Sequence, residues 1–316
     1  MNKSKTTKSK IIELLKANDI ISGEEIGKIL NISRTAVWKH IQDLKKKGYQ
    51  IETLAKGYRL INNLDLLNEE ELSDLPYKVY YFKEITSTMD VAKDIAEKEE
   101  SAIIIAETQT KGRGRLNRIW HSPKGGIWMS LIVKPSLSLK EAFLLTYTAS
   151  LATALALEKI ARIRVYLKWP NDVIYRNDNE EKKLAGILLE VKAEIDKIKY
   201  AIIGIGINVN NEISSVEPQA ISLKEILNRE IKRKDIIKAL VENFRYLIKK
   251  EPKEILNAWK EKSLTLGRKV KIIHPEGEKI GFALDISDEG ALILKTEKNE
   301  ILKIYSGDCI HLRSIS

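Results

Sequence analysis

Apolar positions over residues 1–60 recur at the spacing of short helices. Ile11, Ile12, Leu14 and Leu15 make one helical face ahead of a polar break at Asn18-Asp19. Ser22-Gly23-Glu24-Glu25 predicts a second helix opened by a capping box, in which Ser22 caps and Glu25 reaches back. Ile26, Ile29 and Leu30 are expected on its inner side. Asn31-Ile32 makes a short turn, and Ser33 caps a third helix, with Ile32 and Val37 placed as a hydrophobic staple. Val37, Ile41 and Leu44 form its buried stripe, and Gly48 stands where a helix-ending glycine belongs. Tyr49 to Leu54 and Tyr58 to Ile61 then read as two short strands around Ala55-Lys56-Gly57. Further on, Val79 to Phe82, Ile103 to Ala106, Val165 to Leu167 and Val173 to Tyr175 read as strands. A helix opens at Thr86-Ser87-Thr88 with Val91, Ala92, Ile95 and Ala96 as its apolar positions, and Lys232 to Lys262 is a helical stretch. Val270 to Ile273, Ile280 to Asp285, Ala291 to Thr296 and Ile301 to Tyr305 are short strands with turn residues between them.

A chain of 316 residues fits two or three domains. No apolar run approaches the ~18–20 residues of a membrane span, and the basic start MNKSKTTKSK has neither the apolar region nor the cleavage site of a signal peptide. One cysteine, Cys309, excludes an internal disulfide and a cysteine-based metal cluster, and four unclustered histidines give no sign of a structural metal. These features point to the cytoplasm and away from membranes. The net charge of +10 is unevenly placed: residues 1–60 hold 13 Lys/Arg against 6 Asp/Glu, whereas residues 265–316 hold 8 against 8. A positive excess confined to one end is the electrostatic footprint of a nucleic-acid binder. Arg34, Thr35, Trp38, Lys39 and Gln42 lie off the buried stripe of the third helix, and with Ser22 and Ser33 they are the candidate DNA contacts. Two helices joined by a tight turn and followed by a two-stranded wing resemble a winged helix-turn-helix domain. A trihelical protein-interaction module is the other reading.

The chemistry concentrates in Lys111 to Trp120, KGRGRLNRIW. A strand that ends in a Gly/Arg loop lets the backbone approach a ligand closely and aims fixed positive charge at it. This suits a phosphoryl group or an acyl phosphate; an exposed basic loop is the plainer reading. Four further segments stand out in the same chain: Ser87-Thr88-Met89, Lys168-Trp169-Pro170-Asn171-Asp172, Lys183 to Leu188 (KLAGIL) and Gly204 to Val209 (GIGINV).

In this order the five motifs, with Gln109 just ahead of the Gly/Arg loop, resemble the biotin–protein ligases. With the winged helix in front, the whole chain resembles the bifunctional biotin ligase and biotin-operon repressor family. The resemblance implies an α+β multidomain fold: a winged helix-turn-helix DNA-binding domain over 1–63, a central α/β mixed-sheet ligase domain over 64–264 and an SH3-like β-barrel over 265–316. It implies ATP-dependent activation of biotin to biotinoyl-5′-AMP and transfer to a lysine of a biotin carboxyl carrier domain. The adenylate would also serve as co-repressor, driving a homodimer that binds operator DNA.

The same resemblance assigns Ser87, Thr88, Met89 and Gln109 to biotin, together with Gly112, Arg113, Gly114, Arg115, Lys183, Gly186 and Gly204. Met89 stands where the family usually has Asn. It assigns Arg118, Trp120, Asp172, Lys183, Gly206, Asn208 and Arg313 to ATP or the adenylate. Gly204 and Gly206 would let the adenylate lie against a strand end, and Trp120 would pack over the intermediate. Arg115, Arg118 and Lys183 would carry the catalysis, with Mg²⁺ on the phosphates and no metal-ligating cluster in the protein. The family loop tends to read GRGRxGR; here Asn117 replaces the later glycine, and because asparagine tolerates a positive φ better than most residues the loop is expected to survive. Two other functions stay open: a biotin-sensing repressor with little or no ligase activity, and a ligase for another small acid such as lipoate.

Overall fold

The computed structural model describes residues 6–61, 65–177, 180–274 and 277–312; Arg313 lies outside them. The chain divides into two compact units, Met1–Tyr81 and Phe82–Ser316.

The first unit holds α1 (Thr7–Ala17), α2 (Gly23–Leu30), α3 (Arg34–Lys46) and the hairpin β1 (Ile51–Leu54) with β2 (Gly57–Leu60). Its helix starts follow the local chemistry. Ser22 Oγ accepts from Glu25 N while Glu25 reaches back to Ser22 N, and Ser33 Oγ accepts from Ala36 N. Val37, Ile41 and Leu44 are fully buried against Ile11, Ile26 and Leu15. Ile29 is not part of this core: it is 59% exposed. On the short α2 the inner side is held by Ile26 alone, with Leu30 partly buried. The unit extends past residue 63 because the segment from 65 folds back on it. Tyr49 donates its hydroxyl to Asn68 and Glu71, and Lys16 pairs with Glu71 at 2.7 Å.

The second unit is built on a seven-stranded sheet. Its strands are β3 (Lys78–Ile85), β4 (Ala102–Gln109), β5 (Ile127–Val133), β6 (Val165–Lys168), β7 (Asp172–Arg176), β8 (Glu181–Glu194) and β9 (Lys197–Ile207), in the order β3-β4-β5-β9-β8-β7-β6. The hairpin connections β6–β7 and β8–β9 make those pairs antiparallel, as are β4–β5, β5–β9 and β7–β8. Between β3 and β4 runs α4 (Thr88–Ile95), a crossover. Thr108 Oγ1, Thr110 N and Lys111 N bond to Lys83 O, Ile85 O and Thr86 O, so the two strands advance together and the sheet is mixed.

Helix α5 (Phe143–Ala161) packs on β6 to β9 and against α7 (Arg233–Leu247) and α8 (Pro252–Glu261), while the short α6 (Leu223–Leu227) follows β9. α5 is the most apolar helix among the described residues and sits in the core, with thirteen of its side chains buried, Leu144, Leu145 and Leu157 among them. The helical stretch over 232–262 is made of two helices, because Pro252 cannot continue α7 and instead starts α8 at its first turn.

The C-terminal sheet has five strands, one more than the four read from the sequence: β10 (Lys269–His274), β11 (Gly277–Ile286), β12 (Leu292–Thr296), β13 (Ile301–Ile304) and β14 (Asp308–His311). All its pairings are antiparallel, in the order β13-β12-β11-β10-β14, which fits a small SH3-like barrel. Tyr147 of α5 donates to Gly290 O at 2.8 Å and docks this sheet on the central one. Cys309 is buried on β14, where burial pushes its thiol up to about 12.

Candidate active site

The polar ends of β4, β7, β8 and β9 surround a cavity of about 520 Å³, closed from above by the Gly/Arg loop and at one side by β14. Every described residue assigned to biotin or adenylate lines it except Gly112. Gly112 serves the loop instead: a Cβ there would meet Trp120 O at 2.3 Å, and its own carbonyl accepts from Trp120 N at 2.9 Å.

At one end lies a neutral polar pocket. Ser87 caps α4, accepting from Met89 N at 3.3 Å. Gln109, the last residue of β4, accepts from Thr88 N at 2.7 Å and donates to Ser122 Oγ at 2.8 Å. Ser130 donates to Thr88 Oγ1 at 2.8 Å, and Ser122 donates to Trp120 O at 2.9 Å. Met89 is buried among them, its sulfur against Gly204.

The middle of the cavity is apolar. Gly186 on β8 and Gly206 on β9 are register partners, and with no side chains they leave a flat floor. The indole of Trp120 lies on it: a Cβ on Gly206 would be 2.4 Å from Nε1. The close approach these glycines permit is thus used by Trp120 and Met89 of the chain itself. Trp128 meets the Trp120 ring edge-on at 6.5 Å, and the Lys183 ammonium stands 5.1 Å from its centroid.

The other end is charged. Lys183 Nζ is 2.7 Å from Asp172 Oδ1. Arg115 donates to Asn171 Oδ1 at 3.2 Å and to Gly307 O at 3.3 Å. Burial lowers the pKa of Arg115, and Asp308 and Asp172 oppose that shift. Arg118 pairs with Asp308. Arg113 points elsewhere on the rim, to Asp90 at 2.8 Å. The loop is a narrow hairpin with bridges at Gln109–Ser122 and Arg113–Ile119. Its left-handed residue is Leu116, φ 53°, one position before Asn117. Asn208 is 2% exposed, accepting from Asn211 Nδ2 at 3.1 Å.

Several wall residues were missed from the sequence. Lys168 and Asn171 belong to a motif already singled out, but Asp308 and Ile310 come from β14 with no local signal. Glu181 lines the same side and receives Arg268 at 2.6 Å and His311 at 3.0 Å. Burial works to raise the Glu181 pKa, and these two bonds bring it below the ordinary value; burial also lowers that of His311. Among the described residues no three His, Cys, Asp or Glu side chains converge on one point.

On the first unit, Arg34, Thr35, Trp38 and Lys39 are exposed on one side of α3 and Gln42 is half-buried. Ser22 and Ser33 are occupied as caps.

Comparison with known proteins places these features together. Residues 7–59 match an HTH domain, 81–208 the Biotin/lipoate A/B protein ligase family and 265–312 the Biotin protein ligase C terminal domain. The chain is 36% identical to the bifunctional ligase/repressor BirA of Bacillus subtilis, over 96% of this chain and 98% of that one. It is 32% identical to the protein of that name from Escherichia coli K12, over 99% of both. The chain resembles the structure of the biotin protein ligase from Aquifex aeolicus in complex with biotin and ATP. That match has a TM-score of 0.63 at 33% identity and covers 75% of this chain and 99% of that one.

Proposed function

The chain belongs to the family of bifunctional biotin ligase/repressors, and from that footing we propose how its residues share the work. It is an ATP-dependent, AMP-forming biotin–protein ligase with a DNA-binding repressor module. One observation carries the assignment of the site: a single cavity joins a neutral hydrogen-bonding pocket, an apolar middle and a cationic end. Biotin has the same three parts in the same order, a ureido head, an apolar ring and chain, and a carboxylate.

Ser87, Thr88 and Gln109 take the ureido head, and Met89 gives only an apolar wall where an amide would bond. Trp120 covers the chain. The carboxylate then meets Lys183 and Arg115 next to the α-phosphate of ATP. A carboxylate oxygen forms the new bond to phosphorus, and the bond to the bridging oxygen breaks with pyrophosphate leaving. Charge builds on the non-bridging oxygens, where Arg115, Arg118 and Lys183 stabilise it. Arg118 and Lys183 give up Asp308 and Asp172 for the phosphate, exchanging one anion for another. Mg²⁺ arriving on ATP would neutralise phosphate charge, and Asp172 is the cavity carboxylate that would hold it. The loop then keeps water from the mixed anhydride until a lysine amine of the carrier domain attacks its carbonyl and AMP leaves.

The loaded form acts as co-repressor in a homodimer: a ligand bound more tightly by the dimer must favour it by linkage. Two winged helices, each within residues 1–63, then read an operator of two half-sites, while 64–264 and 265–316 carry the ligase. The working compartment is the cytoplasm. Incubating the full chain with biotin, Mg·ATP and a carrier domain should add one biotinoyl group to the carrier, read by mass. Biotin binding without that gain would make the chain a repressor that has lost its chemistry.

A further inference from the structure

Ser122 follows the Gly/Arg loop and does not line the cavity, yet its hydroxyl stands at a buried junction. It accepts from Gln109 Nε2 at 2.8 Å and donates to Trp120 O at 2.9 Å. Gln109 Oε1 in turn accepts from Thr88 N at 2.7 Å. Both ends of this chain of bonds are backbone groups with one role each. Thr88 N–H can only donate, and Trp120 C=O can only accept. The order between them is therefore forced. The Gln109 oxygen faces Thr88, its nitrogen faces Ser122, and the Ser122 hydrogen points to Trp120.

The backbone is shaped to admit this junction. Gln109 and Ser122 are bridge partners at the base of the loop hairpin, where Gln109 N donates to Ser122 O at 3.1 Å. Gly112 lies against them. A Cβ there would be 2.5 Å from Ser122 Oγ and 3.2 Å from Gln109 Nε2, besides its clash with Trp120 O. The bare glycine lets three polar atoms converge. Two capacities of Gln109 are left over. An amide nitrogen has two hydrogens and an amide oxygen two lone pairs, and the protein uses one of each. Gln109 lines the cavity, so the spare donor and the spare acceptor are what it offers a ligand, in an order that its partners set.

We infer that Ser122 is a positioning residue: it holds the Gln109 amide in the orientation that reads the ureido head, and it ties that amide to the backbone of Trp120. This rests on the biotin site proposed above. Without the hydroxyl, Gln109 keeps only Thr88 and pivots about its oxygen, while Trp120 O loses a partner. Recognition of the head and cover of the intermediate are thus joined through one side chain that touches neither.

The test is a double-mutant cycle in the full chain, with Ser122→Ala and Gln109→Met made singly and together and biotin affinity read by calorimetry. One buried hydrogen bond of the usual strength predicts that Ser122→Ala weakens biotin binding by about 10-fold. In the Gln109→Met background the same change should cost less than about twofold, because no amide is left to orient. The KM for ATP at saturating biotin should stay within about twofold of the parent's. Ser122→Cys, whose thiol is a weaker donor and acceptor, should fall between parent and alanine. Preformed biotinoyl-5′-AMP should be lost to water, as biotin and AMP, faster in Ser122→Ala whether or not Gln109 is present, since the bond to Trp120 does not pass through the amide. Equal costs of Ser122→Ala in both backgrounds overturn the inference, because a serine that only stabilises the fold weakens binding regardless of Gln109. If Ser122→Ala does not fold, Ser122→Cys decides by the same ratio. Absence of biotin binding in the unaltered chain would instead overturn the proposed function.

Discussion

Replacing Gly206 by Ala should damage the first chemical step far more than it damages the fold. Neither Gly206 nor its neighbour Gly186 has the left-handed φ that would bar alanine by itself. The added methyl group matters through what lies above it. At Gly206 it would stand 2.4 Å from Trp120 Nε1 and 2.6 Å from Cε2, against a normal contact of ~3.5–4.0 Å. The indole must therefore retreat by about 1 Å into the cavity. That shifts the ring away from the Lys183 ammonium, now 5.1 Å from its centroid, and out of its edge contact with Trp128. Overpacking costs ~1–3 kcal/mol, and here the ring has open space to move into, so a fall in Tm of roughly 2–5 °C is expected. A reacting carboxylate displaced by the same ~1 Å loses up to ~10²-fold in rate. The assay is biotin-dependent pyrophosphate release, giving kcat/KM for biotin, with calorimetric biotin affinity and Tm beside it. A loss of about 30- to 100-fold is expected for Gly206→Ala. Gly186→Ala is the control, because its methyl group would find the ring at 3.0 and 3.2 Å, a distance that a small tilt relieves. It should lose no more than about threefold. Equal effects of the two variants, or a Gly206→Ala enzyme within twofold of the parent, would refute the role given to Trp120.

Three further outcomes are expected. Arg233→Met leaves Glu107 buried without the guanidinium that bonds both its oxygens at 2.9 and 3.3 Å, and should cost ~3–5 kcal/mol by denaturant unfolding; under 1 kcal/mol would contradict this. Folding lowers the pKa of both His311 and Glu181, so the unfolded chain takes up protons first as pH falls. The stability they contribute is complete above about pH 6.5, the ordinary histidine value, and declines below it. His311→Gln should flatten the upper part of that decline between pH 7.5 and 5.5, and an unchanged profile counts against the cluster. Lys39→Gln should weaken operator binding and lower the slope of log affinity against log salt by about one, with ligation untouched; an unchanged slope would remove Lys39 from the DNA face.

What could be read in advance follows the range of the interaction. Helix caps such as Ser22 with Glu25, and the stripe Val37, Ile41 and Leu44, depend on neighbours three to seven residues away, and they stand as expected. The reading failed at Ile29, where a two-turn helix has too few positions for periodicity to select its inner face. The motif residues reach one cavity because strand ends gather them. Asp308, Ile310 and the Glu107–Arg233 pair were not legible, since partners such as Arg118 and Asp308 are 190 residues apart and neither carries a local mark of the other. The left-handed backbone of the loop falls at Leu116, a residue type that carries no local signal for it.

The polar pocket at the β4 end has a meaning for the protein when it holds nothing. Gln109 is bonded through both its oxygen and its nitrogen, to Thr88 and Ser122, and the hydroxyls of Ser130 and Ser122 find Thr88 and the carbonyl of Trp120. A pocket whose donors and acceptors awaited a ligand would leave the vacant protein strained and prone to open. This one rests in a closed circuit, so scarcity of the ligand leaves a durable molecule. Ligand adds stability only as the logarithm of the ratio of its concentration to its dissociation constant, so the fold's persistence rests on these internal bonds rather than on the ligand.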